Sequence, residues 1–174
     1  MSVDYFLKID GIEGESMDDT HKNEIELASF TWNEAQSGTF AQGAGGGSGK
    51  VRMGDFEFVM RTNKSSPKLL LACAKGQHIP SAVLTCRKAG GGQQEFYKIT
   101  MSDVLVSTYR TSGSGDGENG HVGASDHGYD EGVPTDFVAL NFAKIEAEYR
   151  PQKEDGSLDN PVKAGYDLKA NKPV

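Results

Sequence analysis

The residues that could do chemistry are few enough to take one group at a time. Residues 43–51 read GAGGGSGKV, a glycine run ending in lysine that raises the question of a phosphate-cradling loop. Such a loop needs glycine, four residues, then Gly-Lys-Ser/Thr, because backbone amides wrap the phosphates and the last hydroxyl holds magnesium. Counted back from Gly49-Lys50, the first glycine position holds Ala44, and the hydroxyl position holds Val51. The run also fails GxGxxG, since Gly43 and Gly45 lead to Ser48, and Gly45 and Gly47 lead to Lys50. A flexible loop accounts for it, because glycine takes backbone dihedrals that other residues avoid. No nucleotide or other cofactor is expected.

The sequence holds 4 histidines. His21 lies in GESMDDTHKNE, where a surface or turn-bonding role is expected, and His78 precedes Ile79-Pro80 in what reads as a turn beside a strand. His121 and His127 share a glycine-rich stretch with Asp126 and Asp130, and such a group can in principle hold a metal. The spacing matches no established site, and a soft segment lacks the rigid surroundings that orient ligands, so no metal is expected. There is no GxSxG elbow, and no histidine is set to activate a serine. Glu15, Asp18 and Asp19 could be offered as the carboxylates of a glycosidase, but a solvated turn explains them better. Cys73 and Cys86 make neither a disulfide framework nor a CxxC site, and are expected to be reduced and packed. No catalytic centre emerges.

The elements that must position these residues are mostly strands. Val3, Tyr5, Leu7 and Ile9 alternate with Asp4, Phe6 and Lys8, the period of a strand with one buried face. Further strands are expected over 25–32, 51–61, 82–88, 95–101, 104–109 and 137–149. The stretch SSPKLLLACAKG, 65–76, predicts the one helix, with Ser65 or Ser66 as cap, Pro67 in the first turn and Gly76 as the stop. Leu69, Leu70 and Cys73 would face the sheets. At 174 residues the chain reads as a single domain, 1–174, large enough for a real core. The expected fold is mainly β, a two-sheet β-barrel or sandwich with one short flanking helix.

Two connections exceed ordinary length. Residues 33–50 form a glycine-rich arm whose only aromatic is Phe40, which could tuck onto its own sheet or anchor the arm in a neighbour. Residues 111–135 hold 5 acids, 7 glycines and no lysine or arginine, a composition that suggests mobility. The net charge of −7 argues against nucleic acid and anionic membranes, which select basic patches. The opening MSVDYFLKID lacks the apolar run of a secretory signal, and no later run is long enough to insert in a membrane. Synthesis and folding are expected in the cytoplasm.

Read together, the segments resemble the haemolysin-coregulated protein (Hcp) family, the tube component of bacterial type VI secretion. The matching stretches are SVDYFLKIDGIEGESMDDTHKNEIELASFTW, then QSG with the glycine arm and GKV, SSPKLLLACAKGQHIPSAVLTCRKAGG, EFYKITMSDVLVS, and LNFAKIEAEYRPQKEDGSLDNPVKAGYDL. Their combination, above all GESxDxxHxxEI with YRPQK, carries the likeness over nearly the whole length.

The resemblance implies a protein with no catalytic activity whose hexameric rings stack into a hollow tube. The tube would sit in a contractile sheath, carry a spike protein of the valine-glycine-repeat family, and hold small effector proteins in its lumen. Cytoplasmic assembly would be followed by export through the system without a cleaved signal peptide. In this setting the arm contacts the next ring, through Phe40, Gly43, Gly45, Gly46, Gly47, Gly49 and Lys50. Ser29, Thr31 and Asn33 alternate with Ala28, Phe30 and Trp32. The resemblance turns that polar side to the lumen, although ordinary solvent exposure on a sheet face fits the pattern nearly as well. The segment 111–135 is longer and more acidic than the short turn the family implies, and it could project along the ring axis or sideways. Two other readings stand beside this one: a monomeric barrel binding a small ligand inside, and a secreted hydrolytic effector using His121 and His127.

Overall fold

The computed structural model describes residues 2–37, 50–88, 92–113 and 132–174. The described strands in chain order are β1 Val3–Ile9, β2 Ile25–Glu26, β3 Ser29–Thr31, β4 Glu34–Ala35, β5 Arg52–Met53 and β6 Phe56–Arg61. The helix α1, Ser66–Lys75, follows, then β7 His78–Lys88, β8 Glu95–Ser112, β9 Thr135–Tyr149, β10 Val162–Asp167 and β11 Lys172–Pro173.

Two long strands organise the rest. β8 and β9 pair antiparallel from Tyr97↔Tyr149 to Ser112↔Thr135. β7 pairs with β8 as far as His78↔Leu105, and β10 pairs with the second half of β9. The first half of β9, from Thr135 to Leu140, pairs instead with β6, and β6 with β3. The register shifts between Val106 and Thr108, which leaves Ser107 as an extra residue in β8. Such a bulge bends a strand and increases its twist, and it falls where the sheet turns from one layer into the other. The two expected strands at 95–101 and 104–109 are therefore one bent strand.

The expected barrel does not close. The candidate strand 25–32 divides into β2, paired with β1, and β3, paired with β6. The change of partner falls between Leu27, whose amide donates to Tyr5 O at 3.0 Å, and Ala28, whose amide donates to Val59 O at 2.8 Å. One short segment is shared between two diverging neighbours, so each pairing lasts only 2 or 3 residues. The result is an open, strongly folded antiparallel sheet whose two layers share one core. Leu7, Phe56, Phe58, Met60, Leu84, Met101 and Leu140 are essentially fully buried in it. Tyr5 meets Phe30 edge-on across the layers at 5.3 Å, and Phe30 stacks with Phe56 at 5.7 Å. These side chains occupy the space a ligand would need in the monomeric-barrel reading.

The helix forms where expected and ends at Gly76, whose φ of 60° is left-handed and costs glycine little. Its start differs from expectation. Ser65 stands at the cap position without bonding a helix amide, and its hydroxyl donates to Asn63 Oδ1 at 2.6 Å. Ser66 donates to Asp136 instead. Asp136 is wholly buried and also accepts from Thr62 Oγ1 at 2.9 Å and from the Tyr109 hydroxyl at 3.2 Å. Burial first, and then the Asp136 charge, push the Tyr109 phenol up. The helix buries Ser66, Leu69 and Ala72, a three-residue spacing that leaves Leu70 52% exposed and Cys73 half-buried. No helix of the described residues is long and apolar enough to cross a membrane.

Candidate functional site

The residues singled out in the sequence divide into those that hold the fold and those left on its surface. GESxDxxHxxEI belongs to the first group. The connection 11–24 lies over the second face of β1, which is why Phe6 is buried although alternation placed it on the polar side. The His21 ring stacks on Phe6 at 4.3 Å and 7°, and the Arg87 guanidinium lies 4.8 Å from the same ring. His21 is thus buried, not on the surface. Its Nδ1 is 2.9 Å from Glu24, and its Nε2 is 3.2 Å from Glu95, close enough for an ion pair but not aligned for a hydrogen bond.

The supposed carboxylate pair is likewise structural. Arg87 donates to both Asp18 oxygens, at 2.9 and 2.6 Å. That bond, before any other cause, lowers the Asp18 pKa to about 2, far from a useful general acid. Asp18 Oδ1 also accepts from the Thr20 and His21 amides, and Glu15 accepts from the Lys64 amide at 3.1 Å. Gly14 completes the motif, because a Cβ there would meet Glu24 O at 2.4 Å. His78 bonds Asp103 at 2.9 Å on the surface. Burial pushes the Cys86 thiol up to about 12, which leaves it protonated. Among the described residues no three His, Cys, Asp or Glu side chains converge as metal ligands would. His121, His127, Asp126 and Asp130 lie outside the described residues.

The surface group is more informative. Of the arm, Phe40, Gly43, Gly45, Gly46, Gly47 and Gly49 lie outside the described residues. Its two ends begin as a ribbon: β4 pairs with β5 through Glu34↔Met53 and Ala35↔Arg52, so the expected loop starts later than residue 33. Trp32 Nε1 donates to Gly54 O at 3.1 Å, and Gly54 N donates to Asn33 O at 2.8 Å, which fixes the base of the ribbon. Lys50 is exposed at its other end. Between this ribbon and the β9–β10 ladder runs an open cleft of about 820 Å³, lined by Trp32, Lys50, Met53, Ile145, Tyr166 and Leu168 among others.

Ser29 and Thr31 share the outer face of β3, the first half-buried and the second exposed. Register extends that face across three further strands. Ser29 stands beside Val59, Val59 beside Phe137, and Phe137 beside Arg110. The next row is Thr31, Glu57, Ala139 and Thr108. Together the rows form an open depression of about 370 Å³. Asn33 is separated from the other two candidates, at the foot of the ribbon. Sequence reasoning missed Glu57, Arg110 and Phe137. Alternation within each strand marks their sidedness, but only the long-range register brings them beside Ser29 and Thr31. The acidic connection is also shorter than expected, since Thr111, Ser112 and Thr135 are strand residues.

The chain and its fold are similar to those of known proteins. The family model described as type VI secretion system effector, Hcp, matches residues 6–149. Protein hcp1 of Pseudomonas aeruginosa is 43% identical over 173 residues, covering 98% of each chain. The crystal structure of Hcp1 from Salmonella typhimurium is similar with a TM-score of 0.73, 38% identity and full coverage of both chains. A type VI secretion system effector from Yersinia pestis gives a TM-score of 0.71 at 31% identity, over 94% of this chain and 99% of that one. By these likenesses this chain belongs to the Hcp family, the structural, non-enzymatic proteins of type VI secretion.

Proposed function

We propose that the protein is the tube subunit of its secretion system, with six copies closing into a ring and the rings stacking into a hollow, cargo-carrying tube. The observation that carries this reading is the broad outer face of β3, β6, β9 and β8, where exposed Thr31, Glu57, Thr108 and Arg110 surround half-buried Val59 and Phe137, in an Hcp-family chain whose interior is filled by its own side chains. A single-domain brick of this kind acts through its borders. Ser29 and Thr31 belong to the channel wall, with Asn33 at its rim. Ring closure takes a heterologous contact, in which one patch meets a different patch on the next copy. Among the described residues β3 and β11 stand at open ends of the sheet and supply two different borders, since an open strand edge invites pairing.

The arm residues Phe40, Gly43, Gly45, Gly46, Gly47, Gly49 and Lys50 make the contact between rings. The spike protein of the valine-glycine-repeat family caps the tube, the contractile sheath surrounds it, and small effectors travel inside. The protein assembles in the cytoplasm and leaves through the system. Native mass spectrometry tests the ring: a hexamer is six times 18.7 kDa, about 112 kDa. A single chain at every concentration removes the reading and favours a solitary binding protein. Phe40→Ala is expected to keep the ring mass and shorten the filaments seen by electron microscopy.

A further inference from the structure

We infer that Arg110 and Phe137 form a cargo-selecting subsite that takes a carboxylate flanked by an apolar side chain. The inference rests on the channel reading above and deepens it, by naming the chemistry of the partner that the wall accepts.

Arg110 is exposed near the end of β8, with its guanidinium carbon 4.3 Å from the centroid of the half-buried Phe137 ring. Two of the other four arginines sit against acids: Arg87 with Asp18 and Asp4, and Arg150 with Glu148. Arg110 has no carboxylate partner among the described residues. In a chain with 25 acidic and 18 basic side chains, Arg110 stands out among the described residues as an arginine held on an aromatic ring and away from every described acid. The ring attracts the cation through its quadrupole and narrows its rotamer freedom, so less entropy is lost when a ligand binds. The planar fork left facing outward matches a carboxylate with two parallel hydrogen bonds.

The surroundings specify the rest. Val59 stands next to Phe137 in the same row, and together they offer apolar contact beside the guanidinium. The depression of about 370 Å³ has room for one or two side chains, not for a folded domain, so a protruding segment of cargo is what it receives. Glu57 lies one row along and two strands across from Arg110, about 12 Å away by strand geometry. It discourages a second acid at that end and orients the occupant. Repetition around a ring would add avidity, so each subsite need bind only weakly to retain cargo and still release it.

The test uses the assembled full chain and two labelled, end-blocked peptides, Gly-Phe-Glu-Gly-Ser and Gly-Phe-Lys-Gly-Ser, followed by fluorescence anisotropy at two salt concentrations. The acidic peptide is expected to bind, more weakly at high salt, and the basic one not to. Arg110→Gln should weaken the acidic peptide at least tenfold, Arg110→Lys should fall between, and Phe137→Leu should lose a few-fold. Native mass spectra of the same samples report the ring. Equal binding of both peptides, or binding indifferent to Arg110→Gln in an intact hexamer, overturns the subsite and leaves the tube reading standing. Selective, Arg110-dependent binding by a chain that remains monomeric supports the subsite and removes the channel.

Discussion

Replacing Asp136 by alanine probes the buried join between the helix and the two long strands. The carboxylate is fully buried and accepts from Thr62, Ser66 and Tyr109. Hydrogen bonds to a charged acceptor contribute about 1.5–3 kcal/mol each, but removing the acid also relieves its own desolvation, so the three do not simply add. Its removal strands three hydroxyl donors but leaves no unpaired charge, so the loss is about 2–4 kcal/mol, or about 4–16 °C in Tm for a chain of this size. Asp136→Asn keeps an acceptor for Thr62 and turns an amide toward two hydroxyls that can rotate to accept, so about 1–2 kcal/mol is expected. Urea unfolding of wild type and both variants at one protomer concentration measures this, since assembly makes stability depend on concentration. Equal losses for the two variants, or an alanine cost below about 0.5 kcal/mol, would refute the idea that hydroxyl bonding to this carboxylate anchors the helix.

Three further outcomes follow from named contacts. Gly14→Ala must displace backbone, because its Cβ would lie 2.4 Å from Glu24 O and 2.7 Å from the Ile25 Cα; a loss of about 2 kcal/mol or more in urea unfolding is expected. The folded Asp18 pKa of about 2 lies below its ordinary 3.8, so this ion pair contributes stability above pH 3.8 that is lost as the pH falls toward 2. The urea midpoint should therefore drop across that window in wild type, with a shallower drop in Asp18→Asn. Cys86, buried and with its thiol pushed up to about 12, should resist alkylation in the native protein and react once urea unfolds it; labelling of native Cys86 at the rate of a free thiol would contradict its packed position.

Local pattern revealed most of the elements. The alternation of β1, the proline and glycine bounding α1, and the apolar runs of β7, β8 and β9 all sit close to their expected places because each depends on nearby residues. β10 was missed: in VKAGYD, Val162, Ala164 and Tyr166 do alternate with Lys163, Gly165 and Asp167, but the run is short, none of its residues is fully buried, and it is held by pairing with β9. A strand of that kind is specified by its partner more than by its own composition. The burial of His21 and Phe6 was hidden for a related reason. A polar connection folding back over β1 reverses the sidedness that alternation suggests, and the Arg87 that completes the stack lies far along the chain. For the candidate surface, the polar side of Ser29 and Thr31 was legible, whereas its continuation to Glu57, Phe137 and Arg110 depends on registers across β3, β6, β9 and β8.

In the proposed ring the outer face of β3, β6, β9 and β8 turns inward. An electron cryomicroscopy reconstruction of the purified, concentrated chain tests it most directly. The expected density is a six-fold ring with Thr31 and Arg110 on the wall of its central channel. Solitary particles, or a ring that carries that face on its outer rim, would contradict the account.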